Sequence, residues 1–190
     1  MAPPASSTVD RAMHCLGLVR LDRLGSGKTA AVFAAETPGG HRRVVRISTL
    51  DIESPEIYAD VSRASAAQHE YIQALMPTRV PRLYKRAVVP SKRGNRALAH
   101  AQVMEHIDAP SVLDATDAMR ADLRVLLNQL WSNRLSHGDL HAGNLLYDRK
   151  AKRWKLIDFD MLRAHKSAAA AKRRDMQALP PDLKALLARR

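Results

Sequence analysis

One stretch, Ser136-His137-Gly138-Asp139-Leu140-His141-Ala142-Gly143-Asn144-Leu145-Leu146-Tyr147, followed closely by Leu156-Ile157-Asp158-Phe159-Asp160, restricts this chain more than any other. It sets two carboxylates and an amide on a turn and on the strand pair that leaves the turn. Leu145 to Tyr147 and Trp154 to Phe159 read as short strands joined by the polar turn Asp148-Arg149-Lys150-Ala151-Lys152. Such a hairpin returns Asp158 beside Asn144, where one ion can touch both. Moving a γ-phosphoryl group to a hydroxyl requires an oxygen to receive the acceptor's proton and hard oxygen ligands for Mg²⁺ between the phosphates. Asp139, Asn144 and Asp158 can supply both.

The segments before this stretch read as a sheet with one helix. Leu18 to Leu24 and Ala31 to Ala35 form a hairpin about Gly25-Ser26-Gly27-Lys28-Thr29-Ala30-Ala31-Val32-Phe33. Glycines let the backbone come close to a phosphate, whose oxygens the N–H groups then hold. Gly27-Lys28-Thr29 also ends a Walker A pattern, but Asp22 stands where that pattern wants its first glycine. Arg43 to Ile47 reads as a third strand. Ser54-Pro55-Glu56 opens a helix to Leu75, with Val61, Ala64, Gln68, Ile72 and Leu75 on one face and Glu70 nearby. Leu83 to Val89 and Arg96 to Glu105 complete a five-stranded antiparallel sheet. Thr116-Asp117 caps a helix running to about Leu135, striped by Leu123, Leu126, Leu127 and Leu130. The last thirty or so residues read as basic helices divided by Pro180-Pro181.

His-Gly-Asp-Leu-His-Ala-Gly-Asn with Ile-Asp-Phe-Asp resembles the catalytic loop and metal-binding motif of the protein-kinase-like superfamily. The resemblance implies an α+β, two-lobed fold. Residues 16–107 would be the N-lobe, with its five-stranded antiparallel sheet and one helix. Residues 108–190 would be a truncated helical C-lobe without an activation segment or Ala-Pro-Glu motif. ATP would lie between the lobes, Asp139 would orient the acceptor hydroxyl, and Asn144 and Asp158 would hold Mg²⁺. Gly25, Ser26, Gly27, Lys28 and Val32 fit the glycine-rich pattern, with Ala30 at its third glycine. Backbone groups near Glu105 and Ile107, in Met104-Glu105-His106-Ile107, would bond adenine.

Arg46 stands where kinases carry the lysine that grips the α- and β-phosphates. Arginine keeps the charge but is longer, planar and forked. Either Arg46 works in a modified geometry, or Lys28 reaches in from the glycine loop, or the chain binds nucleotide and turns over poorly. Glu70 is the expected partner of Arg46, with Glu56 the weaker candidate. Gly138 replaces the arginine that reads an activation-segment phosphate, His141 replaces a lysine common in Ser/Thr kinases, and Asp160 replaces a glycine.

The loop is also similar to those of aminoglycoside and choline phosphotransferases and of the compact Bud-type atypical kinases. The nearest resemblance is to minimal kinases injected by bacterial type III secretion systems, the OspG and NleH group, through Gly-Ser-Gly-Lys-Thr-Ala-Ala-Val-Phe, Gly-Asn-x-Leu-Tyr-Asp and Ile-Asp-Phe. That group implies a Ser/Thr protein kinase acting on host proteins in the host cytoplasm, with ubiquitin or a ubiquitin-conjugating enzyme as activator. Residues 1–15 then read as a flexible leader, a possible type III secretion signal. A bacterial cytoplasmic location, a partner-binding pseudokinase and a small-molecule phosphotransferase are the alternatives.

Charge and composition narrow the partners. A formal net charge of +12 attracts acidic partners, nucleotide and acidic lipid among them. Only 4% of residues are aromatic, with no basic and aromatic interleaving of the kind that stacks bases, which argues against sequence-specific nucleic-acid binding. No apolar run approaches the roughly 20 residues that cross a bilayer. Cys15 is the single cysteine, so no internal disulfide forms and no zinc site rests on cysteines.

Overall fold

The computed structural model describes residues 5–26, 30–49, 55–91, 97–109 and 115–188. It divides into two compact units, Met1–Ala67 with Arg82–His106, and Gln68–Pro81 with Ile107–Arg190. Helix α2 (Pro55–Leu75) contributes residues to both. No helix among the described residues is long and apolar enough to cross a membrane.

In the first unit, β1 (Val19–Ser26), β2 (Ala30–Glu36), β3 (Arg42–Thr49), β4 (Leu83–Pro90) and β5 (Ala97–Glu105) form an antiparallel sheet in the order β1-β2-β3-β5-β4. This is the expected five-stranded sheet of a kinase-like α+β fold. Successive side chains of a strand point to opposite faces. Ala31, Phe33 and Ala35 of β2, Val45 and Ile47 of β3, and Ala99 and Ala101 of β5 therefore share one buried face. Helix α1 (Ser6–Leu16) adds Val9, Ala12 and Met13 to that core and ends on Gly17, whose φ of 67° makes a left-handed cap.

The expectation of a flexible leader over residues 1–15 is corrected from Ser6 onward by that helix, and residues 1–4 lie outside the described residues. The opening residues are small and polar, but Val9, Ala12 and Met13 recur at helical spacing and the sheet's apolar face lies against them. Sequence pattern alone did not show that this face needed covering.

The second unit is built on α3 (Asp117–Ser132), capped by the Thr116 hydroxyl, which accepts from the Met119 N–H at 3.3 Å. Its buried stripe, Met119, Leu123, Leu126, Leu127, Leu130 and Trp131, contains all four expected leucines. β7 (Leu145–Asp148) and β8 (Arg153–Leu156) form the expected hairpin, although its second strand stops at Leu156 and not at Phe159. Two hydrogen bonds of 2.7 Å fasten β8 to α3, from the Trp154 N–H to Asp122 and from its indole N–H to the Met119 carbonyl. Arg79 donates to the same Asp122 carboxylate at 2.7 Å, and its carbonyl accepts from Leu156. α4 (Ala168–Ala178) and α5 (Pro181–Ala188) close the unit, divided as expected at Pro180-Pro181.

Two local expectations fail. On α2, Ala64 and Leu75 are exposed, and the buried row is Ala66, His69 and Ile72, continued by Met76. A histidine takes an inside place because its Nε2 donates to the Pro81 carbonyl at 2.8 Å and its ring packs edge-on to Phe159. α3 ends at Ser132, short of Leu135. Arg134 turns left-handed (φ 59°), and β6 (Leu135–Ser136) pairs with β9 (Arg163–Ala164).

Leu126 is fully buried in the second core. Leu126→Ala is expected to lower unfolding free energy by about 2–5 kcal/mol, read from urea denaturation followed by circular dichroism.

Candidate active site

The chain leaves α3 through β6 and enters the loop at His137, where the decisive partner comes from α4. Asp175, only 1% exposed, accepts from the Trp131 indole N–H (2.9 Å), the His137 N–H (3.1 Å) and the Gly138 N–H (2.9 Å). A buried carboxylate is tolerated when donors surround it. These three bonds fix the entrance of the loop relative to α3 and α4. The sequence reads here as a basic helix, and that reading does not single out Asp175. A signal was present, since Ala171, Asp175 and Leu179 repeat at four-residue spacing and all are buried.

Gly138 has φ +81°, and a Cβ placed on it would lie 2.5 Å from the Met161 carbonyl oxygen. The arginine that kinases carry here has no space for its Cβ, and the positive φ would add strain. His137 is buried. Its Nε2 donates to the Ile157 carbonyl at 2.9 Å while its Nδ1 accepts from the Asp139 N–H at 3.3 Å, the pattern of a neutral imidazole. Burial pushes its pKa below the ordinary value, against the opposing pull of the Ile157 carbonyl and of Asp175, Asp158 and Asp139.

Beyond Asp139 the loop makes a 3₁₀ turn over Ala142–Asn144. The Asn144 amide nitrogen donates to the Asp139 carbonyl at 2.9 Å and faces its Oδ2 at 3.4 Å. Asn144 is 5% exposed, and its Oδ1 has no partner among the described residues. The Ile157 N–H donates to the Asn144 carbonyl at 3.2 Å, which sets the following Asp158 next to Asn144 as expected. Asp158 is exposed and adopts φ 63°, so the strand ends before it. An amide oxygen and a carboxylate are hard oxygen donors of the kind Mg²⁺ takes, and the ion would neutralise phosphate charge there.

Asp148, at the end of the hairpin, has its pKa held low. Burial would raise it, but the Ala151 N–H, the Lys155 ammonium at 3.2 Å and the Lys150 N–H together outweigh burial.

The remaining expected residues divide between the units. Gly25 and Ser26 end β1, exposed, and pair with Val32 and Ala31. Gly27 and Lys28 lie outside the described residues. Half-buried Val32 and Arg46 face each other across β2 and β3, and Gln102 of β5 continues the row on the face opposite Val45 and Ile47. Glu105 donates its N–H to the Arg82 carbonyl at 2.8 Å and accepts the Arg82 N–H on its carboxylate at 3.0 Å, so this N–H is used in closing the sheet. Ile107 is half-buried at the start of the second unit's longer segment. Glu70 is exposed on α2 and belongs to the second unit, whereas Arg46 belongs to the first. The side chain of Glu56 lies outside the described residues.

Two measurements test this geometry. Asp175→Ala leaves three N–H groups without their acceptor and is expected to cost about 3 kcal/mol or more in urea denaturation. His137, with its pKa lowered by folding, contributes stability that is complete above about pH 6.5 and is lost as pH falls below it, because the unfolded chain binds the proton first. The urea midpoint should fall more steeply between about pH 8 and about pH 5.5 in wild type than in His137→Gln.

A family model described as the phosphotransferase enzyme family (APH) matches residues 51–165, from the segment before α2 through β9, and so contains the whole catalytic loop. No curated protein matches the chain. The matched span exceeds half of the 190 residues and coincides with the hydrogen-bonded loop carrying Asp139, Asn144 and Asp158, and the chain belongs to the phosphotransferase enzyme family, within the protein-kinase-like superfamily.

Proposed function

We propose that this protein is a Mg-ATP-dependent kinase that phosphorylates Ser or Thr hydroxyls of proteins. The observation that carries the reading is the grip of Asn144 on Asp139. The amide nitrogen holds the base, which leaves the buried amide oxygen for a cation beside Asp158. In the reaction the acceptor oxygen forms a bond to the γ-phosphorus, the bond from that phosphorus to the bridging β,γ-oxygen breaks, ADP departs, and the hydroxyl proton passes to Asp139. Mg²⁺, held by Asn144 and Asp158, would offset the charge on the phosphates. The row Val32, Arg46 and Gln102 supplies an apolar contact and a fixed cation on one face of the sheet, suited to a nucleotide.

The protein acceptor is supported by exposure and by resemblance. Asp139 is 54% exposed, and only residues 159–167 separate Asp158 from α4, so little chain stands over the base within this unit. The sequence resembles the minimal effector kinases through its glycine loop and its catalytic motifs. On that resemblance the reading extends to delivery into a host cytoplasm and activation by ubiquitin or a ubiquitin-conjugating enzyme, and the net charge of +12 favours an acidic docking partner or lipid. The family match favours a second reading, phosphorylation of a small alcohol such as an aminoglycoside or choline.

Transfer of labelled γ-phosphate should be followed with wild type, Asp139→Ala and Asp158→Ala, against a eukaryotic lysate and a panel of amino alcohols. Asp139→Ala is expected to lose about 10²–10⁴-fold in turnover while still binding nucleotide. Label on lysate proteins supports the protein kinase, and label on an amino alcohol alone replaces it with the second reading. Nucleotide binding without transfer to any acceptor would make the chain a binding module and sink both.

A further inference from the structure

We infer that His141 is a positioning residue whose ring, held at Nδ1 by the loop backbone, presents Nε2 to the Asp139 carboxylate and keeps that carboxylate in register. The role rests on the phosphotransferase reading above. The ring is fixed at one end by the backbone, since Nδ1 accepts the Gly143 N–H at 3.1 Å and so caps the 3₁₀ turn. A backbone N–H can only donate, so Nδ1 presents its lone pair, and a neutral imidazole then carries its proton on Nε2. The ring lies so close to the turn that a Cβ on Gly143 would stand 3.0 Å from Cε1 and 3.1 Å from Nδ1. Glycine at 143 leaves room for the ring.

At its other end, Nε2 stands 3.7 Å from Asp139 Oδ2. This exceeds a direct hydrogen bond, and it is a distance that closes when substrate fills a site, since catalytic hydrogen bonds are commonly long in the empty enzyme. The same oxygen, Oδ2, is the one the Asn144 amide faces at 3.4 Å. Two side-chain nitrogens therefore face the same oxygen, Oδ2. Oδ1 is left to receive the acceptor's proton, and rotation of the carboxylate would carry Oδ2 away from both. A cap alone would need only an acceptor, which asparagine or serine also provides; the imidazole is the side chain that reaches from the cap to the carboxylate.

Two substitutions separate the ring's two ends. His141→Asn keeps an oxygen near the place of Nδ1 and has nothing at Nε2. His141→Gln restores an amide N–H near Nε2 and abandons the cap. The expected result is that His141→Asn lowers kcat about 10- to 100-fold with the KM for ATP unchanged, the range seen when an orienting partner is removed. His141→Gln should recover most of that loss while melting at lower temperature. Full kcat in His141→Asn with a deficit confined to His141→Gln would reduce His141 to a cap and overturn the role.

The ¹⁵N resonances of the ring give a readout that needs no turnover. Nε2 should be protonated and Nδ1 bare at about pH 8, and the Nε2 shift should move in Asp139→Asn. A ring protonated on Nδ1 in an active enzyme would sink this role alone. Absence of transfer by wild type would sink the phosphotransferase reading, and the role with it.

Discussion

A carboxylate sealed inside a helical unit is costly unless donors surround it, and Asp175 has three N–H donors from two separate stretches of chain. One donor is the Trp131 indole at the end of α3, and the other two are the first backbone amides of the catalytic loop. The side chain therefore works as a joint. It fixes the loop's entrance relative to α4 and to α3, which carries much of the second core, and the positions of His137, Asp139 and Asn144 follow from that entrance.

From there each constraint passes to the next residue. With the Gly138 N–H drawn to Asp175, the backbone turns left-handed and closes on the Met161 carbonyl, and only a residue without a Cβ can follow that path. His137 then lies buried and neutral, bonding Ile157 ahead and Asp139 behind. Asn144 ties the far end of the loop back to Asp139, and its carbonyl receives Ile157, which brings Asp158 alongside. Backbone hydrogen bonds and a short β-hairpin thus do most of the positioning. Asp139 and Asp158 are left exposed, and the Asn144 amide oxygen has no partner among the described residues.

The first unit obeys a simpler rule. Alternation along β2, β3 and β5 sends one set of side chains into the core under α1 and leaves Val32, Arg46 and Gln102 on the other face. Register alone places Arg46 in that row, opposite Val32 on one side and Gln102 on the other.

The sequence by itself determined the elements whose signal is local. The leucine stripe of α3, the strands of the five-stranded sheet and the turn before β8 are regularities within a few residues, and the structure follows them. Tertiary structure alone decided the rest. Asp175 sits in a run of lysine and arginine and becomes internal only because amides 37 and 38 residues away meet it. His69 is an inside residue because a carbonyl at Pro81 and the ring of Phe159 stand next to it, and α1 is ordered because an apolar sheet face lies against its short stripe. Polar burial depends on a partner brought by the fold, and no periodicity announces a partner that is distant in the chain.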